Sequence, residues 1–188
     1  MESAPEFESV LAAAQEGADW AVTVLYRALN PRLLAYLGSR DPRAADDLAA
    51  EVWLAVAQQL RRFEGGEDAF RAWVFSIARR RLADFRRTAI RRATDPVPAD
   101  RLDRASGDDT EGLVLEGITA DEAAAFVVAT LPPDQADVIL LRMLGGLDVD
   151  QVARLVGKRP GTVRVLQHRA LGRLRKRLAV DAAKPVTR

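Results

Sequence analysis

The sequence predicts an all-α protein of two small helical domains, and three observations carry that expectation. Ala, Leu and Arg, all strong helix formers, are abundant in a 188-residue chain that is 48% apolar and only 6% aromatic. Apolar side chains recur every three or four positions in several separate stretches, which is the helical period. Between those stretches, Thr94 to Gly112 (TDPVPADRLDRASGDDTEG) carries two prolines, two glycines and no such period, so it reads as an acidic flexible linker. The division expected is residues 1–92, a linker at 93–117, and residues 118–188.

Trp20 to Leu37 places Val24, Leu25, Leu29, Leu33 and Leu37 at helical spacing, with an interruption or offset expected near Pro31. A second helix is expected after Asp41-Pro42, with Leu48, Val52, Val56 and Leu60 on one face. The loop FEGGEDA, Phe63 to Ala69, breaks that pattern. A third helix from about Phe70 puts Phe70, Val74, Ile77, Ala78 and Phe85 on one side. These three helices make the first domain. Beyond the linker, periodicity returns near Ile118, stops at Pro132-Pro133, and resumes in DQADVILLRML as far as Gly145-Gly146. Two short helical patterns follow.

Composition closes off several classes of function. Zero cysteines exclude disulfides, thiolate metal sites and a thiol nucleophile, and a single histidine argues against imidazole metal ligation, so neither metal nor cofactor is expected. No Gly-rich phosphate loop, nucleophile elbow or spaced carboxylate pair supports an enzyme. No apolar run approaches the roughly 20 residues of a membrane span, and the acidic start MESAPEFESV does not resemble a secretory signal, so a cytoplasmic protein without membrane insertion is expected.

The net charge of +1 conceals strong segregation. Arg71 to Arg92 holds eight arginines against one acid, Asp84, and Arg154 to Arg177 holds nine lysines and arginines against none. Ala93 to Glu122 holds nine acids against two arginines. Clustered cations that release counterions from phosphates are the electrostatic footprint of a nucleic-acid binder.

The second basic block also has the mechanics of a helix–turn–helix. In LDVDQVARLVGKRPGTVRVLQHRAL, Asp148 and Gln151 form a capping-box start, Gly157 suits a left-handed helix end, and Pro160 suits the first position of the next helix. Val163, Leu166, Ala170, Leu171 and Leu174 fall on its packed side. Arg159 lies in the turn, and Thr162, Arg164, Val165, His168 and Arg169 form a face that can enter a major groove. The third helix of the first domain repeats this logic, gathering Ser76, Arg79, Arg80, Ala83, Arg86 and Arg87 opposite Ile77. Trp73 is expected to pack rather than stack on bases, and Asp84 to pair with Arg81.

Two stretches, ADDLAAEVWLAV with WVFSIARRRLADFRR, and LPPDQADVILLRMLGGLDVDQVARLVGKRPGTVRVLQHRALGRLR, resemble sigma factors of the sigma-70 class. Within that class they are similar to the extracytoplasmic function (ECF) group, which keeps only domains two and four. The resemblance implies a promoter-specificity subunit that binds bacterial core RNA polymerase and promoter DNA and is controlled by an anti-sigma factor. It implies that Asp46, Asp47, Glu51 and Trp53 grip polymerase. It further implies that Phe63, Glu64 and Asp68 of the loop, with Arg79, Arg80, Ala83, Arg86 and Arg87, recognise and melt the minus-10 element, and that the helix–turn–helix reads the minus-35 duplex. The family usually has Gln where Ala50 stands, Asn where Arg80 stands and often Ser where Arg159 stands. A stand-alone helix–turn–helix regulator is the alternative, but it leaves the first basic helix without a task.

Overall fold

A computed structural model describes residues 6–94 and 119–182; most of the expected linker lies outside the described residues. The described residues form helices α1 (Phe7–Glu16), α2 (Asp19–Gly38), α3 (Ala45–Gln59) and α4 (Glu67–Thr94), then α5 (Ala120–Thr130), α6 (Pro133–Met143), α7 (Val149–Val156) and α8 (Pro160–Ala182). The all-α expectation holds.

Helix α1 is an addition to the three helices expected in the first domain. Phe7, Val10, Leu11 and Ala14 follow helical spacing, and the last three are buried against the rest of that domain. No side chain caps its start and it is only ten residues long, so tertiary burial rather than local propensity holds it. Its Gln15 Nε2 donates to the carbonyls of Leu60 (3.0 Å) and Phe63 (2.8 Å), which pins the short 3-10 turn Leu60–Arg62 where the Phe63 loop begins.

Helix α2 runs through Pro31 without a break. Proline removes one i→i−4 hydrogen bond, but Leu25, Leu29, Leu33 and Leu37 are all buried and anchor both halves of the helix in one core. Asp41 starts the approach to α3, accepting from the backbone N–H groups of Arg43 and Ala44 at 3.2 Å each. Helix α4 begins at Glu67, three residues before the expected start, and extends to Thr94, into the stretch read as linker. Its buried side is Phe70, Val74, Phe75, Ile77, Ala78 and Leu82, whereas Phe85 is exposed.

In the second domain, Thr119 and Glu122 form a capping box for α5: the Glu122 N–H donates to Thr119 Oγ1 (3.2 Å) and the Thr119 N–H to Glu122 Oε2 (2.8 Å). The backbone bond from Thr119, aided by its hydroxyl, holds the Glu122 carboxyl below its ordinary range. This cap is therefore complete at neutral pH and is lost as pH falls through that lowered value. Pro133 occupies the first turn of α6, as Pro132-Pro133 predicts. The buried residues of both domains make one continuous hydrophobic cluster, because α5 packs on α2 and α7 touches α4.

The turn at Gly145-Gly146 lies on that seam. A Cβ on Gly145 would stand 2.7 Å from the Leu141 carbonyl oxygen, 3.0 Å from Leu147 Cγ and 3.4 Å from the Phe75 ring of α4. Gly145→Ala should therefore destabilise the chain by about 1–3 kcal/mol, as overpacked sites do. Urea unfolding followed by circular dichroism checks this, and an unchanged midpoint would count against the close approach.

Candidate nucleic-acid interface

The helix–turn–helix forms as its residues dictate. The Gln151 N–H donates to Asp148 Oδ1 (2.7 Å) and the Asp148 N–H to Gln151 Oε1 (2.8 Å), closing the capping box at the start of α7. Gly157 ends α7 at φ +68°, a conformation costly for other residues. Val152, Val163 and Ala170 are buried, so the two helices share a dry face; Leu166 and Leu174 are half-buried, and Leu171 departs from expectation by facing solvent. Lys158 in the turn reaches Asp134 of α6 at 3.0 Å and ties the motif to the helix beneath it.

The opposite face of α8 is free for a ligand. Arg159, Thr162, Arg164, Val165, His168 and Arg169 are all exposed. The first turn of α8 contains no carboxylate, so its partial positive charge faces outward uncancelled, a setting that favours phosphate.

The basic stripe on α4 is arranged less openly. Arg80, Ala83, Arg86 and Arg87 are exposed, while Arg79 is only half so. Arg87 pairs with Asp84, which therefore turns toward the next helical turn and not toward Arg81; Arg81 instead lies 3.6 Å from Glu51 of α3. Beside Arg80, residues Gln59, Trp73, Ser76 and Asp84 help line a depression of about 300 Å³. Trp73 packs as expected, stacked on Phe63 with centroids 4.9 Å apart, and Phe63 meets Phe70 edge-on at 5.4 Å. Phe63 thus holds the loop from inside this aromatic cluster, and Glu64 and Asp68 are exposed at its rim. Asp68 is paired with Arg71.

On α3, Asp46, Asp47 and Glu51 are exposed along one face. Trp53 is half-buried, donating Nε1–H to Asn30 Oδ1 (2.9 Å) and lying 5.1 Å from the Tyr26 ring. The sequence reading did not single out Tyr26 or Leu54, which are 43% and 61% exposed beside these acids. Leu54 was legible in principle, because it follows Glu51 by three positions and falls outside the Leu48, Val52, Val56 stripe.

Two all-helical domains, each presenting a basic helix face, define a two-domain DNA-binding protein. Residues 25–92 match Sigma-70 region 2 and residues 115–174 match Sigma-70, region 4. The chain is 36% identical over 172 residues to the ECF RNA polymerase sigma factor ShbA of Streptomyces griseus, covering 86% of this chain and 90% of that one. It is 33% identical over 177 residues to the ECF RNA polymerase sigma factor SigD of Mycobacterium tuberculosis, covering 89% and 82%. The chain belongs to the ECF RNA polymerase sigma factors. Its fold is similar to that of RpoE from Bartonella quintana, solved with the anti-sigma factor NepR (TM-score 0.63, 23% identity, covering 85% of this chain and 97% of that one). It is also similar to CnrH, solved with the cytosolic domain of CnrY (TM-score 0.61, 20% identity, covering 95% and 99%). Its function is that of a sigma factor in promoter-specific transcription initiation, which sets aside the stand-alone regulator. The family is one of sigma factors, not of enzymes. Among the described residues no helix is long and apolar enough to cross a membrane.

The capping box of α7 sets the pose of the helix–turn–helix, so Asp148→Ala should cost about 1 kcal/mol of stability. Thermal unfolding should show a lowered midpoint, and amide exchange should rise first in the opening turn of α7.

Proposed function

We propose that the chain docks on core RNA polymerase through the exposed face of α3, captures the minus-10 element on α4 and its preceding loop, and reads the minus-35 duplex with α8. Residues 1–92 would be the polymerase and minus-10 domain, 93–117 the linker and 118–188 the minus-35 domain. The observation that carries this reading is the pairing of an acid-free, exposed helix face on α8 with an acidic, partly apolar face on α3. The first suits phosphates and base edges; the second suits a protein surface of opposite charge.

Each part has a distinct task. Arg164 and Arg169 can reach guanine edges or phosphates, Val165 and Thr162 can contact thymine methyls, and His168 and Arg159 flank them. On α4, Arg80 stands at the depression beside Trp73, where an unstacked base of the non-template strand would meet a guanidinium in place of the family's usual amide. A larger donor set there favours phosphate or guanine. Asp46, Asp47 and Glu51 supply charge complementarity to polymerase, and Leu54 with the Tyr26 and Trp53 edges supplies apolar contact. Control by an anti-sigma factor is supported by the fold's likeness to RpoE, which was solved with one. A cytoplasmic site of action follows from this role.

Run-off transcription with core polymerase on fragmented genomic DNA tests the whole reading and recovers the promoters. On a promoter so found, Arg164→Ala should weaken binding by about 1–3 kcal/mol and relax preference at one minus-35 position. Lys176→Ala should weaken all sequences alike. Equal loss on specific and scrambled minus-35 sites would remove Arg164 from base reading.

For the polymerase face, Asp47→Arg with Leu54→Ala inverts one charge and deletes one exposed apolar side chain without touching the Glu51–Arg81 pair. Like-charge juxtaposition can cost several kcal/mol, so association with core polymerase should fall by at least about a hundredfold. Fold is checked by thermal melting: both positions are exposed, and Asp47→Arg in the first turn of α3 should cost no more than about 1 kcal/mol. A folded double variant with wild-type polymerase affinity would remove this surface from the mechanism.

A further inference from the structure

The depression between α3 and α4, about 300 Å³ in volume, is lined by polar groups whose hydrogen-bonding capacity is unevenly spent. Gln59 Nε2 donates to the Ala55 carbonyl (3.3 Å), which leaves the amide oxygen as the group on offer. Ser76 spends its one hydroxyl proton on the Trp73 carbonyl (2.7 Å) and keeps only acceptor lone pairs. Asp84 accepts from Arg87 through Oδ1, which leaves Oδ2 as an acceptor on a side chain 46% exposed. Of the two lining arginines, Arg81 is drawn aside to 3.6 Å from Glu51. Arg80 makes no ion pair among the described residues and keeps its forked donor. The wall thus offers acceptors from Gln59, Ser76 and Asp84 against one uncommitted donor group, with the half-buried Trp73 ring beside them.

We propose that this depression selects guanine, with Arg80 donating to O6 and N7 and Asp84 accepting from N1–H and the 2-amino group. The proposal rests on the reading of α4 as the minus-10 surface, and it chooses between the two ligands that the Arg80 guanidinium alone would accept. Phosphate is disfavoured: the Asp84 carboxylate meets it with like charge, and neither Gln59 nor Ser76 has a proton left to give. Among unstacked bases, only guanine presents two adjacent donors on its pairing edge, beside an acceptor. Adenine and cytosine present one amino group next to a bare ring nitrogen, and thymine presents one N–H between two carbonyls, so each would set acceptor against acceptor on this wall. Arg80 and Asp84 stand four residues apart on one helix face, with Cβ atoms about 5–6 Å apart, close enough for a single purine to meet both.

The test is fluorescence anisotropy of the full-length chain with a short labelled thymidine strand carrying one central dG, dA or dC, or left all thymidine. The dG strand should bind at least about tenfold more tightly than the other three, a comparison that needs no variant to fold. Replacing dG by deoxyinosine, which lacks only the 2-amino group, should cost about fivefold. Asp84→Asn should bring that guanine-to-inosine ratio to within about twofold, a coupling that general loosening of the helix would not produce. Arg80→Glu, at an exposed position, should weaken all four strands by about tenfold, because it sets a carboxylate against the phosphates. Circular dichroism of both variants should match that of the wild type. If the four strands bind alike while Arg80→Glu weakens them all, guanine selection is overturned and the minus-10 reading of α4 stands. If Arg80→Glu weakens none, that reading itself fails. A guanine preference whose inosine ratio persists in Asp84→Asn overturns the pairing of Asp84 with the base.

Discussion

One carboxylate, Asp137, faces two guanidiniums from the other domain, and the mutual placement of the two halves depends on it. Arg40 is almost wholly buried there, and an unpaired charge in such a position is costly, so removing Asp137 leaves Arg40 without its carboxylate partner. The neighbouring Tyr36 phenol is fully buried, and its hydroxyl lacks a hydrogen-bond partner among the described residues. Burial first, and Asp137 second, push its ionisation well above the ordinary phenol value, so it stays neutral and contributes its ring, edge-on to Phe75 at 5.5 Å. The seam is therefore an ion cluster laid over an aromatic floor.

Each domain faces the same physical problem, which is to expose a dense basic face without losing the fold. The solution is to separate charge along the helix. Acids gather where helices begin: Asp46 and Asp47 on α3, Glu67 and Asp68 on α4, Asp121 and Glu122 on α5, and Asp150 on α7. There they meet the positive end of the backbone dipole, and Glu122 also accepts from the Thr119 N–H. Helix α8 is the exception, beginning with Pro160 behind Lys158 and Arg159 and with no acid in its first turn. It forgoes that local stabilisation at the end presented to a ligand, and Val163 and Ala170, both fully buried, hold it instead.

Most of the helix–turn–helix was legible before any coordinates, because its signals are local. Asp148 with Gln151, Gly157 and Pro160 each specify a backbone conformation within four residues, and the structure places all of them as read. The same holds for the exposed face of α8. Leu171 and Phe85 were misplaced, since a stripe of 100° or more leaves its margins undecided and only the neighbouring helix determines which margin is covered. Helix α1 was missed because it has no capping signal, and its stability comes from contacts with residues far along the chain.

By itself, the sequence determined the all-helical class, the two basic faces, the cap and turn of the DNA-reading motif, and the family. Each depends on spacing or on residue type over short range. Only the tertiary structure decided how those pieces meet: that Asp84 pairs with Arg87, that Phe63 and Trp73 stack, that Leu54 and Tyr26 join the acidic face of α3, and that Arg79 is bound across the seam by Asp137. Those pairings join residues by geometry in space, some of them tens of positions apart. A charge pattern states which partners are available, but the packing of helices selects among them.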